Sequence, residues 1–65
     1  MLTLDAKVTL TCVETNHTAH GTIVRIQGNR VDVALDQGGL LVSLNMKKAG
    51  LYVGKQSGLE FVMKI

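Results

Sequence analysis

The sequence predicts a small all-β domain of five or six short antiparallel strands in a meander, with at most one short helical turn. Three observations predict it. Apolar and polar residues alternate over long stretches, glycine-containing turn signals recur at regular intervals, and proline is absent. The 65 residues allow a single domain, 1–65. Hydrophobic residues make up 46% of the chain and charged ones 18%, which excludes a disordered segment.

The first strand is read from Leu2, Leu4, Ala6, Val8, Leu10 and Cys12, which alternate with Thr3, Asp5, Lys7, Thr9 and Thr11. Period two over such a length places one face inward. A polar loop over Glu14–Thr18 turns it into a second strand that carries Val24 and Ile26. Gly28-Asn29 then reads as a two-residue hairpin loop. That register sets Gln27 opposite Arg30, Ile26 opposite Val31 and Val24 opposite Val33, with Arg25 facing Asp32 as an opposite-charge pair.

Gly38-Gly39, read the same way, sets Gln37 opposite Leu40, Leu35 opposite Val42 and Val33 opposite Leu44. Val24, Ile26, Val31, Val33, Leu35, Val42 and Leu44 are therefore the expected core. Asn45 is placed to cap one helical turn through Met46–Ala49, stopped by Gly50. Leu51-Tyr52-Val53 reads as one further short strand. Leu59, Phe61, Met63 and Ile65 form the inner face of the last. A sheet with a single apolar face must close or stack, and at this length a small SH3-like barrel is the economical solution.

Function is written more faintly. No apolar run is long enough to cross a bilayer. Met1-Leu2-Thr3-Leu4-Asp5 lacks a basic region followed by an apolar stretch, so no signal peptide is expected. The single cysteine fits a reducing compartment, and the expected location is the cytoplasm. Cys12, His17 and His20 are the one cluster of soft ligands. They lack the paired spacing of a zinc site, so neither metal nor cofactor is expected. Gly38-Gly39 leads into a strand, not a helix, and so reads as a turn and not as a phosphate loop. No carboxylate pair or nucleophile–base pair is arranged for chemistry, and the chain is read as a non-enzyme.

Charge is uneven. Residues 37–65 hold Lys47, Lys48, Lys55 and Lys64 against Glu60, while the acidic residues gather before them. Arg25, Arg30, Lys47, Lys48 and Lys55 are the candidate surface for a partner or for nucleic acid. Leu2, Leu4, Ile23 and Leu41 are the candidate self-association surface. Leu2 and Leu4 extend the first strand beyond any pairing the second can offer, and Ile23, Leu41, Val13 and Val62 fall on the parity that should face water. A homodimer is the expected result.

Two resemblances add to this. Thr18-Ala19-His20-Gly21-Thr22-Ile23-Val24-Arg25-Ile26 is similar to a KOW-type barrel segment, which implies an RNA- or DNA-binding module. Gly21-Thr22-Ile23-Val24-Arg25-Ile26, Gly38-Gly39-Leu40 and Gly58-Leu59-Glu60-Phe61-Val62 resemble the central and closing strands of PilZ-type barrels. That family binds cyclic di-GMP through a paired-arginine segment and an Asp/Asn-x-Ser-x-x-Gly segment. Neither is present here, since Arg25 and Arg30 are separated by four residues. The resemblance implies a degenerate member that works through protein contacts.

Overall fold

The computed structural model describes residues 3–65 and shows an all-β protein with no helix among them. Six strands run in order: β1 (Lys7–Cys12), β2 (Thr18–Gln27), β3 (Arg30–Leu35), β4 (Leu41–Lys48), β5 (Leu51–Gln56) and β6 (Leu59–Lys64). Each pairs antiparallel with the next, and β6 returns to β1 to close a barrel. The core is filled by Leu10, Cys12, Ile23, Val31, Val33, Val42, Leu44, Phe61 and Met63, with Ala6, Val8, Leu35 and Tyr52 packed against it.

The hairpin at Gly28-Asn29 has the expected register, with Gln27↔Arg30, Ile26↔Val31 and Arg25↔Asp32 paired. One step on, it breaks. A bulge lies between Ile23 and Arg25, so Val33 faces Ile23 and not Val24. The extra residue reverses the parity of the strand behind it. Ile23, expected on the wet face, is fully buried, while Val24 is 47% exposed. Ile26 keeps its partner but lies at the barrel rim and is also exposed. The bulge has a mechanical role, because it bends a ten-residue strand enough to serve a barrel this small.

The Gly38-Gly39 turn is longer than expected. Leu35 N–H donates to the carbonyl of Leu40 (2.8 Å), which leaves a four-residue loop, Asp36–Gly39. Val33 therefore pairs with Val42 and Val31 with Leu44. This differs from the expected register by two residues. A slip of two preserves the face, so Val42 and Leu44 are still buried.

The expected helical turn at Met46–Ala49 does not form. β4 runs through it to Lys48, with a bulge between Met46 and Lys48, and Ala49-Gly50 makes a tight turn into β5. Met46 N–H is taken by the carbonyl of Asn29 (2.9 Å), so ladder bonding outcompetes a one-turn helix. The ends of the first and last strands also fall short. Leu4 precedes β1 and is 58% exposed, Ile65 follows β6 and is 59% exposed, and Leu59 lies at the rim. Leu2 lies outside the described residues.

Two glycines set how tightly the strands cross. A Cβ on Gly21 would lie 2.6 Å from Val33 Cγ1 and 2.8 Å from the Ala34 carbonyl oxygen. One on Gly54 would run into the Ser43 carbonyl oxygen. Both are places where only hydrogen fits.

Candidate functional site

The closing ladder between β1 and β6 is short. It holds only Thr11↔Val62 and Cys12↔Phe61, extended by Val13 N–H to the Glu60 carbonyl (2.8 Å). By contrast β5 and β6 pair along their whole length, from Leu51↔Lys64 to Gln56↔Leu59. Continuing the β1–β6 ladder would set Thr9 against Lys64. That pair is absent, so the two strands splay below Thr11.

The direction of the backbone groups along β1 follows from its bonded neighbours. Cys12 N–H goes to His17 on the β2 side, and Ala6 accepts from Ile23 N–H on the same side. Even-numbered residues therefore bond β2, and odd-numbered ones face β6, as Val13 does. Along the splayed part, the N–H and C=O groups of Lys7 and Thr9 point into the seam and have no ladder partner there.

The seam has an apolar floor and apolar ends. The groove between the splayed strands is lined by Ala6, Val8 and Ile23, with Lys7, Thr9, Lys64 and Ile65 along its walls. Its outer continuation is lined by Thr9, Thr11, Val13, Asn16, Val62 and Lys64. Leu4, Val13 and Ile65 are the three most exposed large apolar side chains among the described residues. All three lie at the ends of the two strands that border the seam.

The hairpin at the top of β1 is held differently. Glu14 reaches across to β6, where its Oε1 accepts from Glu60 N–H (2.9 Å) and faces Cys12 Sγ at 3.9 Å. The backbone bond from Glu60 is the main reason that the Glu14 carboxyl titrates below its ordinary value. This bond clips the seam shut at one end only.

The candidate basic residues are all exposed, but they do not form one patch. Arg30 is engaged, since its Nε donates to Asp32 Oδ1 (3.3 Å) and its Nη2 to Ser43 Oγ (3.3 Å). Ser43 Oγ in turn donates to Asp32 Oδ1 (2.8 Å). Asp32 is thereby buried with its bonds made. Its ion-pair partner is Arg30, whereas cross-strand Arg25 makes no such pair among the described residues. Lys47 and Lys55 line one shallow depression with Asn45 and Glu60, while Lys48 and Lys64 line another beside Leu51.

Of the candidate self-association residues, Leu4 and Leu41 are exposed, and Ile23 is corrected to a core position by the bulge. The seam leaves no trace in local sequence signals, because pairing between the first and last strands needs no turn.

The soft-ligand cluster is not assembled. Cys12 is buried, whereas His20 lies outside, 3.2 Å from Thr9 Oγ1. Among the described residues no group of three or more His, Cys, Asp or Glu side chains comes together. No helix among them is long and apolar enough to cross a membrane. The chain matches no protein-family model, no curated protein and no solved structure.

Proposed function

We propose that this chain is a non-catalytic binding module that acts through protein contacts, with the open β1–β6 seam as its docking edge. The observation that carries this reading is the pair of unpartnered backbone positions, Lys7 and Thr9, beside an apolar floor. An open edge with alternating side-chain sites is the template on which an extended segment adds as a further strand. Main-chain bonds supply the affinity and the floor selects apolar side chains. In this reading the protein is a cytoplasmic regulatory barrel of the SH3-like or PilZ-like kind, working without cyclic di-GMP.

The rival reading is an RNA- or DNA-binding barrel. It is favoured by five cations that make no ion pair among the described residues: Arg25, Lys47, Lys48, Lys55 and Lys64. Against it, the two aromatic rings are withdrawn: Phe61 is buried and Tyr52 packs half-buried against the core. Neither is free to stack on a base.

A seam staple tests the reading. Thr9→Cys with Lys64→Cys places two thiols at the positions the missing ladder pair would occupy. Extended peptides selected from a displayed random library should bind the reduced form and lose binding when the staple is oxidised. Selected peptides that bind the stapled form equally well would contradict the seam. So would strongly salt-dependent binding of oligonucleotides with no peptide selected at all.

A further inference from the structure

We infer that the strand which fills the seam comes from a second copy of this chain, and that the two copies exchange their N-terminal arms across a two-fold axis at Ala6. The inference rests on the docking-edge reading above and names its partner.

The lengths match first. The open stretch of β1 is Lys7–Leu10, four residues that end where β6 takes over at Thr11. The stretch before Ala6 that continues the alternation of β1 in the sequence is Leu2–Asp5, also four residues. Lay two copies antiparallel with Ala6 opposite Ala6 and each arm covers the other copy's open edge.

The side chains match next. In that register Thr3 faces Thr9 of the second copy, Leu4 faces Val8, and Asp5 faces Lys7. Every pair agrees in polarity, and the one charged pair is of opposite sign. A shift to Ala6 opposite Lys7 would pair every apolar residue with a polar one.

The backbone agrees as well. The unpartnered groups on β1 belong to Lys7 and Thr9, the two positions this register gives to Asp5 and Thr3. The odd-numbered residues of both copies thus exchange hydrogen bonds with each other, while the even-numbered residues remain bonded to β2.

The arm is loosely held where it now lies. Leu4 and Asp5 form a turn closed by Ala6 N–H to the Thr3 carbonyl at 3.3 Å, a long bond. Asp5 has φ 66°, in the left-handed region that costs an L-residue, and Leu4 is largely exposed. Extending the arm relieves that backbone and buries Leu4. It surrenders one short bond, Asp5 N–H to the Ile23 carbonyl (2.7 Å), in exchange for ladder bonds to the second copy. Arm exchange also answers a size problem, since a four-residue edge alone buries too little for a stable dimer. Closure by a two-fold leaves no further edge to propagate. Lys7 now pairs with Asp36 at 3.0 Å in an exposed contact that a carboxylate of the second copy can share.

Charge reversal tests it in four samples read by sedimentation equilibrium in the micromolar range. Wild type should be a dimer. Asp5→Lys alone sets lysine against Lys7, Lys7→Asp alone sets aspartate against Asp5, and each should weaken the dimer about tenfold or more. The two single variants mixed should recover a one-to-one heterodimer close to wild-type affinity, because every cross-strand pair is then of opposite sign. Circular dichroism on each variant keeps loss of fold apart from loss of pairing. A wild-type chain that stays monomeric, or single variants that dimerise like wild type, would overturn the arm exchange. Those same outcomes leave the docking edge standing if peptides still bind in a staple-sensitive way. A dimer that survives the Thr9–Lys64 staple would sink the docking edge itself.

Discussion

The two sides of this barrel meet the same requirement in opposite ways. On the β2–β3–β4 side, ladders flank β3 along nearly its whole length, Gly21 lets the chains approach closely, and Asp32 is buried with both Ser43 and Arg30 bonded to it. On the β1–β6 side the ladder stops early, and Lys7 and Thr9 have no ladder partner on β6. The difference shows where a very small barrel spends its specificity. One side has a long ladder, broken only by the bulge at Val24, that fixes the fold. The other keeps an edge, and an edge is what a binding protein can use.

Substitutions can break this contrast, and the largest effect should come from the paired side. Val33→Asp puts an unpaired charge in the middle of the core and should leave no cooperative thermal transition, because its cost exceeds the stability of a domain this size. Gly54→Val comes next, because its Cβ would meet the Ser43 carbonyl. β5 must then shift, and a loss of about 3 kcal/mol in urea unfolding is expected, within the range for strained backbone and overpacked sites. Ser43→Ala removes the shorter of the two bonds to Asp32 and should cost about 1–3 kcal/mol, the usual result of leaving a buried acceptor short of a donor. Thr9→Ala, the matching change on the seam side, should change stability by less than about 0.5 kcal/mol, as at other exposed positions. If Thr9→Ala costs as much as Ser43→Ala, the two sides are not different in kind.

The clip at the closed end of the seam has a pH signature. Folding lowers the Glu14 carboxyl below its unfolded value, chiefly through the Glu60 N–H bond. Its contribution is therefore fully present above the ordinary carboxylate range and is lost as pH falls through the lowered folded value. Glu14→Gln should flatten that part of the acid limb and lower stability at neutral pH, while the pH dependence near neutral stays as in wild type. An acid limb identical to wild type would show that the clip does not contribute.

How much of this was legible in the sequence depended on distance along the chain. The Gly28-Asn29 hairpin was readable because two adjacent residues fix its register, and Gln27↔Arg30 to Arg25↔Asp32 follow directly. The bulge was not, because Ile23 and Val24 are both apolar and adjacent, so either could have faced the core. Barrel curvature, a property of the whole sheet, decided for Ile23. Gly38-Gly39 signalled a turn but not its length, and the two-residue slip went unseen because it preserves every buried face. Met46–Ala49 carried a plausible local cap that the neighbouring strand overrode. The basic residues were correctly exposed, yet their grouping was not readable: Arg30 is tied to Asp32, and Lys47 and Lys48 line separate depressions. The seam was the least legible feature, since it depends on where β6 stops pairing with β1. Its only trace was the excess of apolar residues at Leu2 and Leu4.

Native-state amide hydrogen exchange, on protein dilute enough to be monomeric by light scattering, tests the open edge most directly. Along β1 the bonding alternates, so slow exchange is expected at Val8 and Leu10, which bond β2, and fast exchange at Lys7 and Thr9, which face the seam. A Thr9 amide protected as strongly as that of Leu10 would mean that the seam is closed in the monomer and that β1 offers no docking edge.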